Sequence, residues 1–227
     1  MNVLVAGATG LVGRCLVKEL AKDKSIHTIY VLSRRLVAFG IEKVRLLITD
    51  FDNMESALSG VEDVEAVYSC LGTTAAQTPD KAMYEKIEIH YPISIAKWAR
   101  ENGASQFHYI SSIGTSVNAK NEYLSRKAVA EQKLKHMAIP QVFIYRPSFI
   151  LGKRDQSRPL EQTAGVVLQL IKPLLRGKAK RYRPIAAESI AKAMAVLTTK
   201  VQPGVFIIES DEIAAIAAGA ESETVQY

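Results

Sequence analysis

MNVLVAGATGLVG, residues 1–13, decides how the rest of the chain is read. A short apolar run, Val3 to Ala6, stops at Gly7. Glycines then recur at Gly7, Gly10 and Gly13, and an apolar pattern of helical period runs from Leu11 to Leu20. Strand, tight turn and helix start follow one another without a linker. Each glycine has its own reason: Gly7 lets the chain reverse, Gly10 lets backbone N–H groups approach a pyrophosphate, and Gly13 lets the helix lie close on the strand. The loop Gly7, Ala8, Thr9, Gly10, Leu11, Val12, Gly13 therefore presents backbone donors, and the positive end of the helix, to a dinucleotide's phosphates. A glycine triplet alone is a weak signal. Its place between a buried-type strand and an amphipathic helix gives it weight.

With 227 residues, 48% apolar and 23% charged, the chain can bury one substantial core. The expected organisation is a single dinucleotide-binding domain over 1–227, divided into a cofactor-binding core (1–147), a substrate-side elaboration (148–218) and a frayed tail (219–227). No apolar run approaches the roughly 18 residues of a membrane span, and no cleavable signal is visible, so a soluble cytoplasmic protein is expected. Cys15 and Cys70 lie far apart in sequence, have no metal-type spacing and read as free thiols. The net charge of +6 is compatible with a phosphate-bearing cofactor, and no nucleic-acid motif accompanies it.

Short apolar runs alternate with helical patterns along the chain. Strands are expected at Val3–Ala6, His27–Leu32, Val44–Ile48, Val64–Ser69, Phe107–Ile110, Val142–Tyr145 and Val205–Ile208. Helices are expected at Met54–Leu58, from about Asp80 to Glu101, from about Tyr123 to Met137, and at Ala187–Leu197, with Pro92 kinking or dividing the long one. This alternation predicts an α/β fold, a doubly wound, mostly parallel seven-stranded sheet with helices on both faces and a small C-terminal elaboration. Pro159–Leu175 reads as a helix over a loop, and Gly152–Pro159 as a loop that closes over the ligand. Lys178–Pro184 reads as a basic, irregular, solvated stretch.

An NAD site usually carries an acid about twenty residues past the glycines, where it accepts from the ribose 2′-hydroxyl. Here that place holds Ser33-Arg34-Arg35. Guanidiniums cannot accept from a hydroxyl but match a 2′-phosphate, which argues for NADP over NAD. Because ligands gather at the carboxyl ends of parallel strands, Asp50 and Phe51 are placed by the adenine. Leu71, Gly72, Thr73 and Thr74 are placed over the ribose and phosphates.

The chemistry is expected after the fifth strand. Ser111-Ser112 ends that strand, Tyr123 stands eleven residues past Ser112, and Lys127 lies one helical turn beyond Tyr123. The Tyr-x-x-x-Lys spacing occurs once among nine tyrosines, too weak to stand alone, but it comes after a Ser-Ser strand end. A phenol beside an ammonium is a usable proton donor and acceptor, and a serine hydroxyl can hold the substrate oxygen. Cys70 reads first as a small strand-end residue, and His90 and His108 as packed histidines.

Together these residues resemble the short-chain dehydrogenase/reductase superfamily. Ser33-Arg34-Arg35, Cys70-Leu71-Gly72-Thr73-Thr74, Tyr145-Arg146-Pro147 and the stretch Arg154 to Pro159 narrow the resemblance to its atypical, Tat-interacting-protein-type oxidoreductases, over about residues 1 to 210. The resemblance implies a Rossmann fold with NADP(H) along the glycine loop and the double arginine. It implies Ser112, Tyr123 and Lys127 at the nicotinamide end, and Arg146 and Pro147 beside the cofactor. Glu88-Ile89-His90 departs from the family pattern, where an Asn or acidic residue tends to stand, so no fourth catalytic group is assigned there. The expected function is oxidation or reduction of a small carbonyl or alcohol. The alternative is an NADPH-binding sensor, regulator or assembly protein, which requires the glycine loop and arginines but not Tyr123. A nucleotide-sugar epimerase is disfavoured because only about 80 residues come after Pro147. The sequence leaves open a homodimer or a protein partner.

Overall fold

Seven parallel strands carry the molecule: β1 (Asn2–Ala6), β2 (Thr28–Ser33), β3 (Val44–Ile48), β4 (Val64–Ser69), β5 (Gln106–Ile110), β6 (Gln141–Arg146) and, after the short β7 (Ile150–Leu151) and β8 (Ile185–Ala186), β9 (Gly204–Glu209). Their order across the sheet is β3-β2-β1-β4-β5-β6-β9. This computed structural model describes residues 1–152, 175–200 and 202–219. The chain leaves β1 in one direction to reach β2 and β3, then returns to the other side for β4. A crevice therefore opens between β1 and β4, where the winding reverses.

Alternate residues of each strand feed opposite cores, as a strand's period of two requires. Val3 and Val5 enter one core, against α1 (Leu11–Lys22), α6 (Ala187–Leu197) and α7 (Ser210–Ala217). Leu4 and Ala6 enter the other, against α2 (Met54–Leu58), α4 (Tyr91–Glu101) and α5 (Glu122–Lys135). The expected long helix is divided into α3 (Lys81–Glu85), a widened π-helical turn at Lys86–His90, and α4, with Pro92 in the first turn of α4. The helical backbone continues through this point, so the missing N–H of Pro92 is a bond lost to the preceding turn, where the Glu88 carbonyl is met instead by Tyr109 Oη at 3.4 Å. Asp80 caps α3 by accepting from Met83 N–H at 2.6 Å, and Asn121 caps α5 by accepting from Tyr123 N–H at 2.9 Å.

Three readings are corrected by the structure. The basic stretch is a 3₁₀ helix, Gly177–Tyr182, rather than irregular chain. His90 is exposed, 3.8 Å from Glu85, rather than packed. Helix α7 comes directly after β9, with a capping box of Glu209 and Glu212, and was not anticipated because no glycine or proline marks the change from strand to helix. The expected helix Pro159–Leu175, most of the expected lid loop and nearly all of the tail lie outside the described residues.

Residues Tyr68, His108, Phe143 and Phe206 hold matching places on β4, β5, β6 and β9. Their rings stack in a row, with centroids 4.4, 4.7 and 5.1 Å apart. His108 meets Tyr145 Oη through Nδ1 (2.9 Å) and Gln106 Oε1 through Nε2 (3.2 Å), while Tyr68 pairs with Thr198. Burial without a nearby acid pushes the imidazole down to about 3, so it stays neutral. As pH falls below the ordinary 6.5, the unfolded chain takes up a proton that the native one refuses. Stability is therefore intact above 6.5 and declines from there toward about 3. Thermal melts between pH 7 and 4 are expected to show this decline, and His108→Phe to flatten it whatever its effect on the absolute melting temperature. An identical pH slope in the two proteins would refute this account.

Candidate functional site

The turn from β1 to α1 is built on close backbone contact. Gly7 has φ +80°, and a Cβ there would lie 2.6 Å from the carbonyl carbon and oxygen of Cys70. A Cβ on Gly13 would lie 2.3 Å from Gly7 O. Neither separation is physically tolerable, so both positions are confined to glycine. Helix α1 begins at Gly10 with no side-chain cap and no acid in its first turn. Its leading N–H groups are thus left to face the crevice, the usual setting for an anion. These features fit a dinucleotide's pyrophosphate.

The crevice has a volume of about 1420 Å³ and is walled by Gly7, Thr9, Gly10, Leu11 and Val12 under α1. That exceeds an ordinary small-ligand pocket of roughly 300–1,000 Å³ and suits an extended dinucleotide with a second molecule beside it. At one end stand Arg34 and Arg35, both exposed, and neither in an ion pair among the described residues. Ser33 shapes their turn, donating from Oγ to Arg35 O at 2.8 Å. Phe51, stacked on Tyr91 at 5.4 Å, walls the same side.

The other end is formed where α5 crosses the carboxyl end of β5. Lys127, 2% exposed, donates to Ile110 O at 2.9 Å and pairs with Glu88 Oε2 at 3.0 Å. Its ammonium lies 4.7 Å from the Tyr109 ring centroid and 5.9 Å from that of Tyr123. Burial is the largest influence on Lys127 and opposes its charge, but Glu88, Tyr109 and Tyr123 together outweigh it and hold the group well above the ordinary lysine value. An ammonium has three donors. One is given to Ile110 O, the charge is met by Glu88 Oε2, and the group also lines the crevice. Fully buried on the π-helical turn, Glu88 also accepts from Thr73 N–H through Oε1 at 2.6 Å, tying the loop after β4 to the lysine. Gly72 lies beside this junction, where a Cβ would make only ordinary contacts, 3.7 Å from Glu88 Oε1 and 3.9 Å from Lys127 Nζ.

Of the residues singled out from the sequence, the crevice wall gathers Gly7, Thr9, Gly10, Leu11, Val12, Arg34, Arg35, Phe51, Leu71, Gly72, Thr73, Thr74, Tyr123 and Lys127. Ala8 and Gly13 are packed behind the turn. Asp50 points elsewhere, accepting from Asn53 N–H at 2.8 Å at the start of α2. Arg146 is held by Glu131 at 2.6 Å and Glu209 at 3.3 Å, away from the wall, with Pro147 beside it. Ser111 rather than Ser112 lies on the wall, but its hydroxyl donates to Glu131 at 2.5 Å. Ser112 makes only a long 3.4 Å contact to Ile113 O. Cys70 lines the floor, and burial pushes its thiol up to about 12, so it is no thiolate. Glu88 and Arg126 were missed as site residues. Glu88 stood out only within a departure from the family pattern, and Arg126 belongs to no motif that the sequence reading singled out.

Comparison with known proteins identifies the family and agrees with the fold. The family model described as "NAD dependent epimerase/dehydratase family" matches residues 3–192. "Protein FMP52, mitochondrial" of Eremothecium gossypii is 30% identical over 217 residues, covering 94% of this chain and 96% of that one. "Protein HTATIP2" of Rattus norvegicus is 25% identical over 166 residues, covering 72% and 68%. The solved structure "MoeE5 in complex with UDP-glucuronic acid and NAD" superposes with a TM-score of 0.68 at 16% identity, covering 96% of this chain and 82% of that one. The cytoplasmic location expected from sequence is overturned by these relatives, since several fungal proteins of the same name are called mitochondrial. That expectation rested on the lack of a secretory signal and of a membrane span, and neither distinguishes cytosol from organelle. No helix among the described residues is long and apolar enough to cross a membrane.

Removing one partner of a buried ion pair strands the other charge. Glu88→Gln is therefore expected to lower unfolding free energy by about 3–5 kcal/mol. The double variant Glu88→Gln, Lys127→Met is expected to lose less than the two single losses combined. Urea denaturation of the four proteins checks this, and additive losses would show that the pair carries no coupling.

Proposed function

Since the chain belongs to the NAD dependent epimerase/dehydratase family, we propose that it is an NADP(H)-dependent oxidoreductase acting on a small carbonyl or alcohol. The observation that carries this reading is the meeting of Tyr123 and the charged Lys127 on the wall of the same crevice as the uncapped start of α1. A sensor needs the phosphate cradle but has no use for a phenol and an ammonium at its far end.

The preference for NADP(H) is supported by Arg34 and Arg35, whose guanidiniums carry no competing carboxylate among the described residues. Pyrophosphate would lie on the backbone N–H groups of Leu11 and Val12, the Gly10 N–H being given to Gly7 O at 3.0 Å, with the adenosine 2′-phosphate between the two arginines. When bound, the nicotinamide supplies or accepts a hydride. In the reducing direction Tyr123 gives its hydroxyl proton to the carbonyl oxygen, and in the oxidising direction it takes the proton from the alcohol. Lys127, kept charged by Glu88, steadies the negative charge left on the phenol oxygen and offers an N–H to the ribose. Ser112 is assigned to the substrate oxygen because its hydroxyl is free of strong contacts while that of Ser111 is committed to Glu131. This assignment requires Ser112 to turn toward the crevice.

Two outcomes are expected. NADPH is expected to bind at least tenfold tighter than NADH, with the preference shrinking in the Arg34→Ala, Arg35→Ala double variant, because each charge-assisted bond contributes about 1.5–3 kcal/mol. Isothermal titration checks this, and equal affinities in the wild type would end the NADP assignment. Tyr123→Phe is expected to keep NADPH affinity while turnover falls roughly a hundredfold to ten-thousandfold, monitored by NADPH absorbance over a panel of aldehydes, ketones and quinones. Full activity in that variant would remove the mechanism. Tight NADPH binding without turnover of any panel member would favour the sensor.

A further inference from the structure

The cofactor contacts proposed above make no use of Arg126, a cation on the crevice wall. Arg126 lies three residues past Tyr123 on α5 and one before Lys127, with a side chain only 19% exposed. Its guanidinium carbon stands 4.8 Å from the ring centroid of Tyr84, a buried residue of α3 that also lines the crevice. Stacking fixes a guanidinium by its flat face and leaves its edge N–H groups to bond elsewhere. One of them, at Nη1, donates to Glu122 Oε2 at 3.0 Å. Among the described residues, Nε and Nη2 make no hydrogen bond.

The charges around this end do not cancel. Lys127 is neutralised by Glu88, so it adds little field to the space in front of Tyr123. Lys81, 3.9 Å from Glu122, and Arg126 share that one carboxylate, which is 65% exposed at the rim. Two cations against one acid leave an excess positive charge on the wall beside the phenol. The Arg34–Arg35 pair cannot be its cause or its partner. It comes after β2, three strand spacings from β5, or about 14 Å away.

Resting on the oxidoreductase reading above, we propose that Arg126, stacked on Tyr84, forms a carboxylate-binding subsite, and that the substrates are short oxo acids and their hydroxy acids. Tyr123 and Arg126 are neighbours three apart on one helix and line the same end of the crevice, so a substrate that gives its carbonyl oxygen to Tyr123 can present a carboxylate to Arg126. Short 2-oxo and 3-oxo acids, which carry the two groups close together, are the simplest such substrates. In their reduction the carbonyl carbon accepts a hydride from NADPH and the C=O π bond opens onto oxygen. That oxygen takes the Tyr123 proton, NADP⁺ leaves, and the tyrosine regains a proton from solvent. The carboxylate stays ionised throughout, so Arg126 binds and orients without taking part in proton transfer.

The test is a binding measurement on protein saturated with NADP⁺, which cannot reduce the ligand. Calorimetric titration compares 2-oxobutanoate, 3-oxobutanoate and phenylglyoxylate, each with its methyl ester. For at least one pair the acid is expected to bind about tenfold to a hundredfold tighter than the ester, the gain typical of a charge-assisted contact. Arg126→Gln is expected to bring that acid and its ester to parity with NADPH affinity within twofold of wild type, and Arg126→Lys to keep part of the preference. Esters binding as well as acids in all three wild-type pairs would overturn the proposal, and this comparison needs no variant. So would a preference that survives Arg126→Gln. If neutral carbonyl compounds turn over with dependence on Tyr123 while no acid is favoured, the carboxylate subsite fails and the oxidoreductase reading stands. If NADPH does not bind, the reading itself fails and the subsite falls with it.

Discussion

The contact between Gly13 and Gly7 O governs how everything else is placed. With no side chain at Gly13, α1 lies against the β1 turn at a distance that would bring a Cβ to 2.3 Å from that oxygen. The consequence is positional. The open start of α1 comes to the crevice between β1 and β4, where the winding of the sheet reverses. A wider turn would move the phosphate-facing N–H groups away from the carboxyl ends of β2, β4 and β5, which carry Arg34, Thr73 and Ser112. The glycine loop is thus a steric constraint first and a binding feature because of it.

Against that rigid floor, the reacting end is held by a costly interaction. Two buried charges lose their hydration, and attraction between them offsets this only with good geometry and extra hydrogen bonds. Lys127 and Glu88 have both: 3.0 Å between them, with Ile110 O and Thr73 N–H taking further contacts. The pair joins α5, the loop after β4 and the π-helical turn, three segments far apart in sequence. A π turn inside a helix shifts the register of the residues beyond it and often accompanies function. Here it carries the carboxylate that keeps the lysine charged where solvent does not reach.

The sheet was legible because each of its strands is a short, largely apolar run and most of the connections hold a helical period, features that depend only on near neighbours. Gly7, Gly10, Arg34, Arg35, Tyr123 and Lys127 were legible as crevice residues because each lies just past a strand end or on the helix beyond one, and the topology brings strand ends together. Arg146 was not, since the sixth strand's end is claimed by Glu131 and Glu209, an ion-pair cluster that sequence spacing does not reveal. Asp50 sits in the right loop, but its oxygens close a local turn onto Asn53. Glu88 escaped for a different reason. Its partner Lys127 is remote in sequence, and a strict helical period assigns it no particular face once a π turn intervenes. The compartment was misread because no residue pattern considered there distinguishes cytosol from mitochondrion.

The crevice also has an ordering of charge that these contacts produce. The arginines after β2 are exposed and uncompensated among the described residues, the middle offers backbone N–H groups of the glycine turn with Arg14 and Lys18 of α1 on its wall, and Lys127 is neutralised from behind by Glu88. On the reading proposed above, the 2′-phosphate of a dinucleotide would meet the arginines after β2, and the Lys127–Glu88 pair itself adds little field beside Tyr123. Arg126 stands out against that pair, because the proposed cofactor contacts do not use it. Its nearest compensation, Glu122, is an exposed rim carboxylate shared with Lys81. An entering carboxylate can displace a solvated carboxylate at little cost, whereas it could not displace Glu88 from Lys127 without stranding a buried charge.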